Sequence, residues 1–175
     1  MDKAIAAAPP PSIPEADARA AFIGAMRKAV STVCVVTTDG PSGRFGVTVS
    51  AMTSVTADPP AVLVCINKGN FVIPAVMGNG CFSVNFLRHD QKHIAEVFAG
   101  RAPSPEPDRF SCAAWSTLVT GSPILEGSVA GFDCNLAERV EFGSHTLFIG
   151  SVVNAKAGED QPLIYHDRNY VKLAS

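Results

Sequence analysis

The residues best able to do chemistry in this chain crowd into Phe45 to Lys68, FGVTVSAMTSVTADPPAVLVCINK. Ser50, Thr53, Ser54 and Thr56 place hydroxyls between two strand-like runs, and a third, apolar run ends at Asn67, Lys68 and Gly69. Such a patch is too diffuse for one activated nucleophile, and no Gly-rich elbow of the hydrolase kind precedes any of the hydroxyls. Hydroxyls beside a backbone turn suit hydrogen bonding to a polar ligand. Threonine also simply favours strands, and from spacing alone that second explanation wins.

Other reactive side chains are scattered. His89 and His93 have an i, i+4 spacing that could hold a metal, but no third ligand is evident, so a solvated helix face is the better reading. His145 and His166 fall at strand ends, where functional side chains often sit. The five cysteines, Cys34, Cys65, Cys81, Cys112 and Cys134, are odd in number and lack CxxC spacing, which disfavours both a disulfide framework and a zinc site. Buried, reduced thiols in a cytoplasmic protein are expected. Gly40, Gly43 and Gly46 neither match the dinucleotide fingerprint nor open a helix, so no Rossmann site is expected. No carboxylate pair has a glycosidase-like setting.

The elements that must position these residues are mostly strands. Glu15 to Val30 reads as a helix, with Glu15 and Asp17 in its first turn and a core-packing stripe of Ala21, Phe22, Ala25, Met26 and Ala29. Strands are expected at Thr32 to Thr38, Phe45 to Val49, Thr53 to Thr56 and Ala61 to Ile66, the last apolar enough to be buried on both faces. Asn67 to Asn70 turns into a short helix, FVIPAVM, and a strand-to-helix turn of that kind is a natural anion site. Cys81 to Leu87 alternates, with Ser83 and Asn85 on one face and Phe82, Val84 and Phe86 on the other. Gln91 to Phe98 follows as a helix, then the proline-rich Gly100 to Asp108 as a long loop of the kind that tends to be functional or mobile. Ser128 to Val140 and His145 to Ala155 form a hairpin turning at Glu141 to Ser144, and short strands lie near Leu163 to Tyr165 and Tyr170 to Leu173. About seven strands with few helices imply a closed or half-closed antiparallel barrel.

The totals agree. With 175 residues, 47% apolar and 17% charged, the chain fits one globular domain, read as 15 to 175 behind a loose tail at 1 to 14. A formal net charge of −2 without a basic cluster argues against a nucleic-acid partner. No run is long enough to span a bilayer as a helix, and the Ala-rich start is too short for a secretory signal, so a cytoplasmic location is expected.

Several blocks, taken in order, resemble the short flavin reductase family: FGVTVSAMTSVTADPPAVLVCINK, CFSVNFLRHDQKHIAEVFAG, GSPILEGSVAGFDCNLAERVEFGSHTLFIGSVV and PLIYHDRNYVKL. The resemblance covers about Phe45 to Leu173. It implies a mainly β fold, the FMN-binding split β-barrel, antiparallel and Greek-key-like with a few flanking helices, usually as a homodimer. It also implies FMN or FAD as cofactor and NADH or NADPH as hydride donor.

Carried over by position, the resemblance places Thr48, Val49, Ser50, Met52, Thr53 and Ser54 along the isoalloxazine and ribityl chain. Cys65, Ile66, Asn67 and Lys68 would border the phosphate end, and Asn85, Phe86 and Leu87 would close the pocket. His145 would face the nicotinamide or the acceptor. The chain departs from the family at Asn70-Phe71, where small hydroxyl residues are usual, and at Ser144, where Asp usually precedes the histidine.

The activity so implied is hydride transfer from a nicotinamide to flavin, with reduced flavin handed to a partner monooxygenase. Such an enzyme needs stacked rings and well-placed donors but no obligatory acid or base residue. A related corrin reductase, taking cobalt(II) to cobalt(I) in cobalamin synthesis, is the alternative on the same fold. A flavin-binding module without reductase activity is a third.

Overall fold

The computed structural model describes residues 15–173, so the expected tail at 1 to 14 lies outside the described residues. The chain order is α1 (Glu15–Met26), β1 (Ser31–Thr32), β2 (Cys34–Thr38), β3 (Phe45–Val49), β4 (Met52–Ala57), β5 (Pro60–Asn67), α2 (Val72–Asn79), β6 (Cys81–Phe86) and α3 (Lys92–Phe98). A 3-10 turn (Arg109–Cys112) leads to β7 (Trp115–Thr117), β8 (Pro123–Leu125), β9 (Ala130–Phe142), β10 (His145–Ala157), β11 (Ile164–His166) and β12 (Asn169–Val171).

Seven strands make one sheet in the order β3-β2-β6-β9-β10-β5-β4, every ladder antiparallel. Its two edges, β3 and β4, are consecutive in the chain and separated only by Ser50-Ala51. Two residues cannot span a flat sheet of seven strands at nearly 5 Å spacing, so the sheet must curl until its edges approach. The Cys65 N–H donates to the Ala51 carbonyl at 2.9 Å where that link crosses. This is the half-closed barrel expected from the sequence. Small sheets β1-β11-β12 and β7-β8 flank it.

Strand β2 divides the interior into two cores. Cys34 and Val36 face the barrel lumen with Val64, Ile66, Phe82 and Phe148, whereas Val35, with Val33 just before the strand, packs outward against Leu87, Ile94, Phe98 and Leu125. That two-sided burial explains why Val33 to Val36 is an unbroken apolar run rather than an alternating one. The long hairpin β9-β10 turns at Gly143-Ser144, with Gly143 at φ 53°, and carries bulges beside Gly150 and Val152. A Cβ on Gly150 would come within 2.5 Å of Phe82 Cζ, so glycine lets the hairpin lie directly on the core phenylalanine.

Three expectations change. The strand Thr32 to Thr38 is interrupted at Val33, whose N–H and carbonyl bond to Leu163 and Leu87 rather than continue one ladder. Strand β5 buries Val62, Val64 and Ile66, but Leu63 and Cys65 are only half-buried, because β5 lies next to the sheet edge. The helix α1 forms, yet its stripe is left largely exposed by the described residues: Phe22 is 65% exposed and Met26 53%. Local spacing predicts a stripe that packs on a core, and the tertiary structure of the described residues leaves it uncovered. Just beyond α1, Arg27 joins the rest of the chain, its Nε donating to Asp167 Oδ1 at 2.6 Å and its carbonyl accepting from the Asp167 N–H at 3.1 Å.

Candidate active site

A cleft of about 850 Å³ opens where the barrel edges approach. One wall is β3 with the Ser50-Ala51 link, and a second is the end of β5, Cys65 to Asn67. His145 stands beside that second wall because it is the register partner of Asn67. Phe98 and Ala99 at the end of α3, together with residues of the loop up to Phe110, form the third wall, and Gly69 to Val72 close the cleft at the entry to α2.

Each wall has a sequence-level cause. Gly46 lets β3 lie against α3, since a Cβ there would sit 2.6 Å from Phe98 Cε1. The neighbouring Thr48 hydroxyl donates to the Ala95 carbonyl at 2.8 Å, tying the same strand to the same helix. The proline-rich loop is anchored by an aromatic trio: Phe98, Phe110 and Trp115 meet edge to face with centroids 5.1 to 5.6 Å apart. Trp115 Nε1 also donates to the Phe110 carbonyl at 2.9 Å. Aromatic contacts of this kind add to area burial and hold geometry.

The turn at the entry to α2 satisfies most of its own amides. Lys68 N–H donates to the Ser144 carbonyl and Asn70 N–H to that of Asn67, while the Asn67 and Asn70 side chains accept from Gly69 and Val72 N–H, all near 3.0 Å. Positive charge comes instead from the opposite wall. Arg44 pairs with Asp108 and lies over the Phe110 ring at 4.6 Å, whereas Arg101 and Arg109 are in no ion pair among the described residues. A rim of guanidinium groups suits phosphate, which it can grip bidentately.

The structure brings Thr48, Val49, Ser50, Cys65, Ile66, Asn67 and His145 into the cleft. Ser144 Oγ lies 3.0 Å from His145 Nδ1, so the hydroxyl in the family's Asp position still touches the imidazole. The remaining expected residues lie elsewhere. Met52, Thr53 and Ser54 sit on the edge strand β4, with Met52 packed against the lumen core and the two hydroxyls exposed. Lys68 points to Glu141, Nζ to Oε2 at 3.1 Å, because the hairpin turn carries that carboxylate past the end of β5.

Asn85 is fully buried on the far side of β6. Its Nδ2 donates toward the carbonyls of Val35 and Pro123 and to Thr37 Oγ1, and its Oδ1 accepts from Leu125 N–H at 2.8 Å. Phe86 stacks edge to face on Phe132, and Leu87 is sealed in the outer core. These three positions hold β8 and the core in place and do not line the cleft. Sequence reasoning, conversely, passed over Arg44, Phe98, Arg101, Arg109 and Phe110. The proline-rich loop reads from the sequence as a candidate functional segment, and Arg101 and Arg109 in and beside it are the available signal.

The thiols are unreactive by environment. Burial pushes Cys134 up to about 12 and Cys34 higher still, and raises the half-buried Cys65 that lines the cleft, so none is a ready nucleophile. Among the described residues no group of three metal-ligating side chains converges, and no helix is long and apolar enough to cross a membrane.

A curled antiparallel sheet with a polar cleft at its open edges, aromatic at one wall and without an acid–base constellation among the described residues, defines a ligand-binding barrel suited to a flat, phosphorylated cofactor. Residues 26–174 match the family model described as "Flavin reductase like domain", and the chain belongs to that family. It is 41% identical over 167 residues to the FMN reductase (NADH) RutF of Variovorax paradoxus, covering 95% of this chain and 89% of that protein. Among solved structures, BorF, the flavin reductase component of a bacterial two-component tryptophan halogenase, superposes with a TM-score of 0.80 at 30% identity, covering 90% of this chain and 99% of that one. The styrene monooxygenase flavin reductase SMOB from Pseudomonas putida S12 does so with a TM-score of 0.77 at 29% identity, over 88% and 97%.

Proposed function

We propose that this protein is an NADH-dependent flavin reductase that binds FMN or FAD in the cleft and hands the reduced flavin to a separate monooxygenase component. The observation that carries the reading is the cleft itself: a volume near 850 Å³ with hydroxyl and backbone groups along β3, arginines at the rim and no catalytic acid–base pair. The residues fit the group. Val49, Ser50 and the Cys65 to Asn67 segment would flank its ring and ribityl chain, Arg109 would hold phosphate, and His145 would stand at the side open to the second substrate. Bound flavin supplies the chemistry by accepting hydride from the nicotinamide, and the protein binds, aligns and shields. The names of the curated relatives support NADH and FMN, and two-component systems among the structural relatives support the monooxygenase partner.

The test is anaerobic. Purified protein with FMN and NADH should bleach the flavin and consume NADH in step, with NADPH and FAD compared in parallel. Failure of NADH to reduce the flavin would sink the reading and leave a binding module; turnover of a cobalt(II) corrin with tightly retained flavin would transfer the protein to the corrin-reducing class.

The reading extends to one domain from 15 to 175, a cytoplasmic location and a homodimer. Support for the dimer is the apolar surface that the single chain leaves open, on α1 and at Val55 of β4 and Phe142 of β9. Light scattering at micromolar concentration should give twice the chain mass.

A further inference from the structure

A second, smaller pocket of about 150 Å³ adjoins the cleft and shares Thr48, Val49, Ser50, Ala99 and Arg101 with it. Its other walls are Val33 and two aromatic rings, Tyr165 and Tyr170. The tyrosines are register partners across the β11-β12 hairpin and meet edge to face, centroids 5.6 Å apart and planes at 60°. The hairpin is itself fixed, because β1 pairs with β11 and places Ser31 opposite Tyr165. Burial raises Tyr170 above the ordinary phenol range.

We propose that this pocket takes the adenine ring of an adenosine diphosphate moiety whose other half occupies the cleft. The inference rests on the flavin reductase reading. Phenol faces accept a flat heterocycle by stacking, and Arg101 stands at the junction of the two cavities, where a diphosphate joining the two ring systems must cross. Arg101 belongs to no ion pair among the described residues, which leaves its guanidinium fork available for charge-assisted hydrogen bonds. Two molecules carry this moiety, NADH and FAD, and both reach the cleft under the proposed function. The pocket therefore sets preference for the adenylated forms without touching the reacting rings.

The experiment separates the sources. Calorimetric titration of ADP into the purified protein, with no turnover involved, should show binding that weakens about tenfold in Arg101→Ala and recovers in part in Arg101→Lys, as loss of a charge-assisted contact predicts. Tyr170→Leu serves as a second variant on a different element, its fold checked by circular dichroism. With FMN as acceptor, only the donor carries adenylate, so the ratio of kcat/KM for NADH over reduced nicotinamide mononucleotide should fall about tenfold in either variant if NADH is the occupant. If FAD is the occupant, that ratio stays and the preference for FAD over FMN falls instead. Wild-type ADP binding that both variants leave unchanged, together with both ratios unchanged, overturns the proposal. Absence of any NADH oxidation by the wild type would defeat the flavin reductase reading, a result distinguishable because the ADP titration is read without turnover.

Discussion

Two sets of strand-borne polar residues look alike in the sequence and end with opposite fates. On β2 and β6, Thr37, Ser83 and Asn85 are fully buried and converge on one acceptor, the Pro123 carbonyl, while Asn85 also receives the Leu125 N–H. On β3 and the link beyond it, Thr48 is tied to α3 but Ser50 is exposed to the cleft. The difference lies in what packs above each strand. β8 and β2 take up the donors of the first set, so those side chains are structural; none of the described residues covers Ser50, so that hydroxyl remains available to a ligand. A polar side chain on a strand signals binding only where no backbone acceptor of the same chain has been laid across it.

The comparison breaks most readily at Asn85. Replacing it by leucine leaves the Leu125 N–H unsatisfied in the core and removes the donors that bridge Val35 and Thr37, and a loss of about 3 kcal/mol in urea unfolding is expected, with the flavin KM of the folded protein nearly unchanged. A selective rise in KM with unaltered stability would instead place Asn85 at the ligand.

The cleft side is probed by Gly46→Ala. The added methyl meets the buried Phe98 ring at 2.6 Å, so the strand or the ring must shift, costing about 1–2 kcal/mol and raising flavin Kd severalfold in fluorescence titration. Here stability and affinity fall together, because Phe98 belongs both to the outer core and to the cleft wall.

Lys68→Ala sharpens the same contrast in a charged residue. Its ammonium already pairs with Glu141 at the surface, so flavin affinity should change less than about twofold and stability by no more than about 1 kcal/mol. A tenfold loss of affinity would restore Lys68 as a phosphate ligand. Arg109→Ala, by contrast, should weaken FMN more than riboflavin, which lacks the phosphate.

The smallest effect concerns the contact beside α1. The Arg27 guanidinium, by hydrogen bond and charge, holds Asp167 below the usual carboxylate range. Its folded value is depressed, so the contribution is present above the unfolded value near 4 and is lost as pH falls below that, through the folded value. Hydrogen exchange of the α1 amides should quicken slightly over that acid window in the native chain, and Asp167→Asn should remove the pH dependence. An equal dependence in the variant would assign it to another group.

Much of this protein follows from local pattern. β-Branched content and alternation located the strands of the main sheet to within a few residues, and the alternation of Cys81 to Leu87 correctly separated Ser83 and Asn85 from Phe82, Val84 and Phe86. The resemblance of ordered blocks is what implies Thr48 to Ser50, Cys65 to Asn67 and His145 as parts of one candidate site. These properties depend on neighbours in the chain, and neighbours are visible in a sequence.

What tertiary structure alone decided is which polar and apolar groups remained unmatched. The stripe on α1 has the spacing of a core helix but meets no partner among the described residues, and Asn85, a pocket residue by resemblance, spends its hydrogen bonds on β8 and β2. Lys68 read as a phosphate ligand until the β9-β10 turn carried Glu141 within 3.1 Å. Arg101 and Arg109, far from the hydroxyl patch in sequence, reach the same cleft because the aromatic trio pins the loop over the open edge of the barrel. Free energy of satisfaction is set by long-range contacts, so a residue's chemistry is written in its type, while its availability is written in what the fold places across from it.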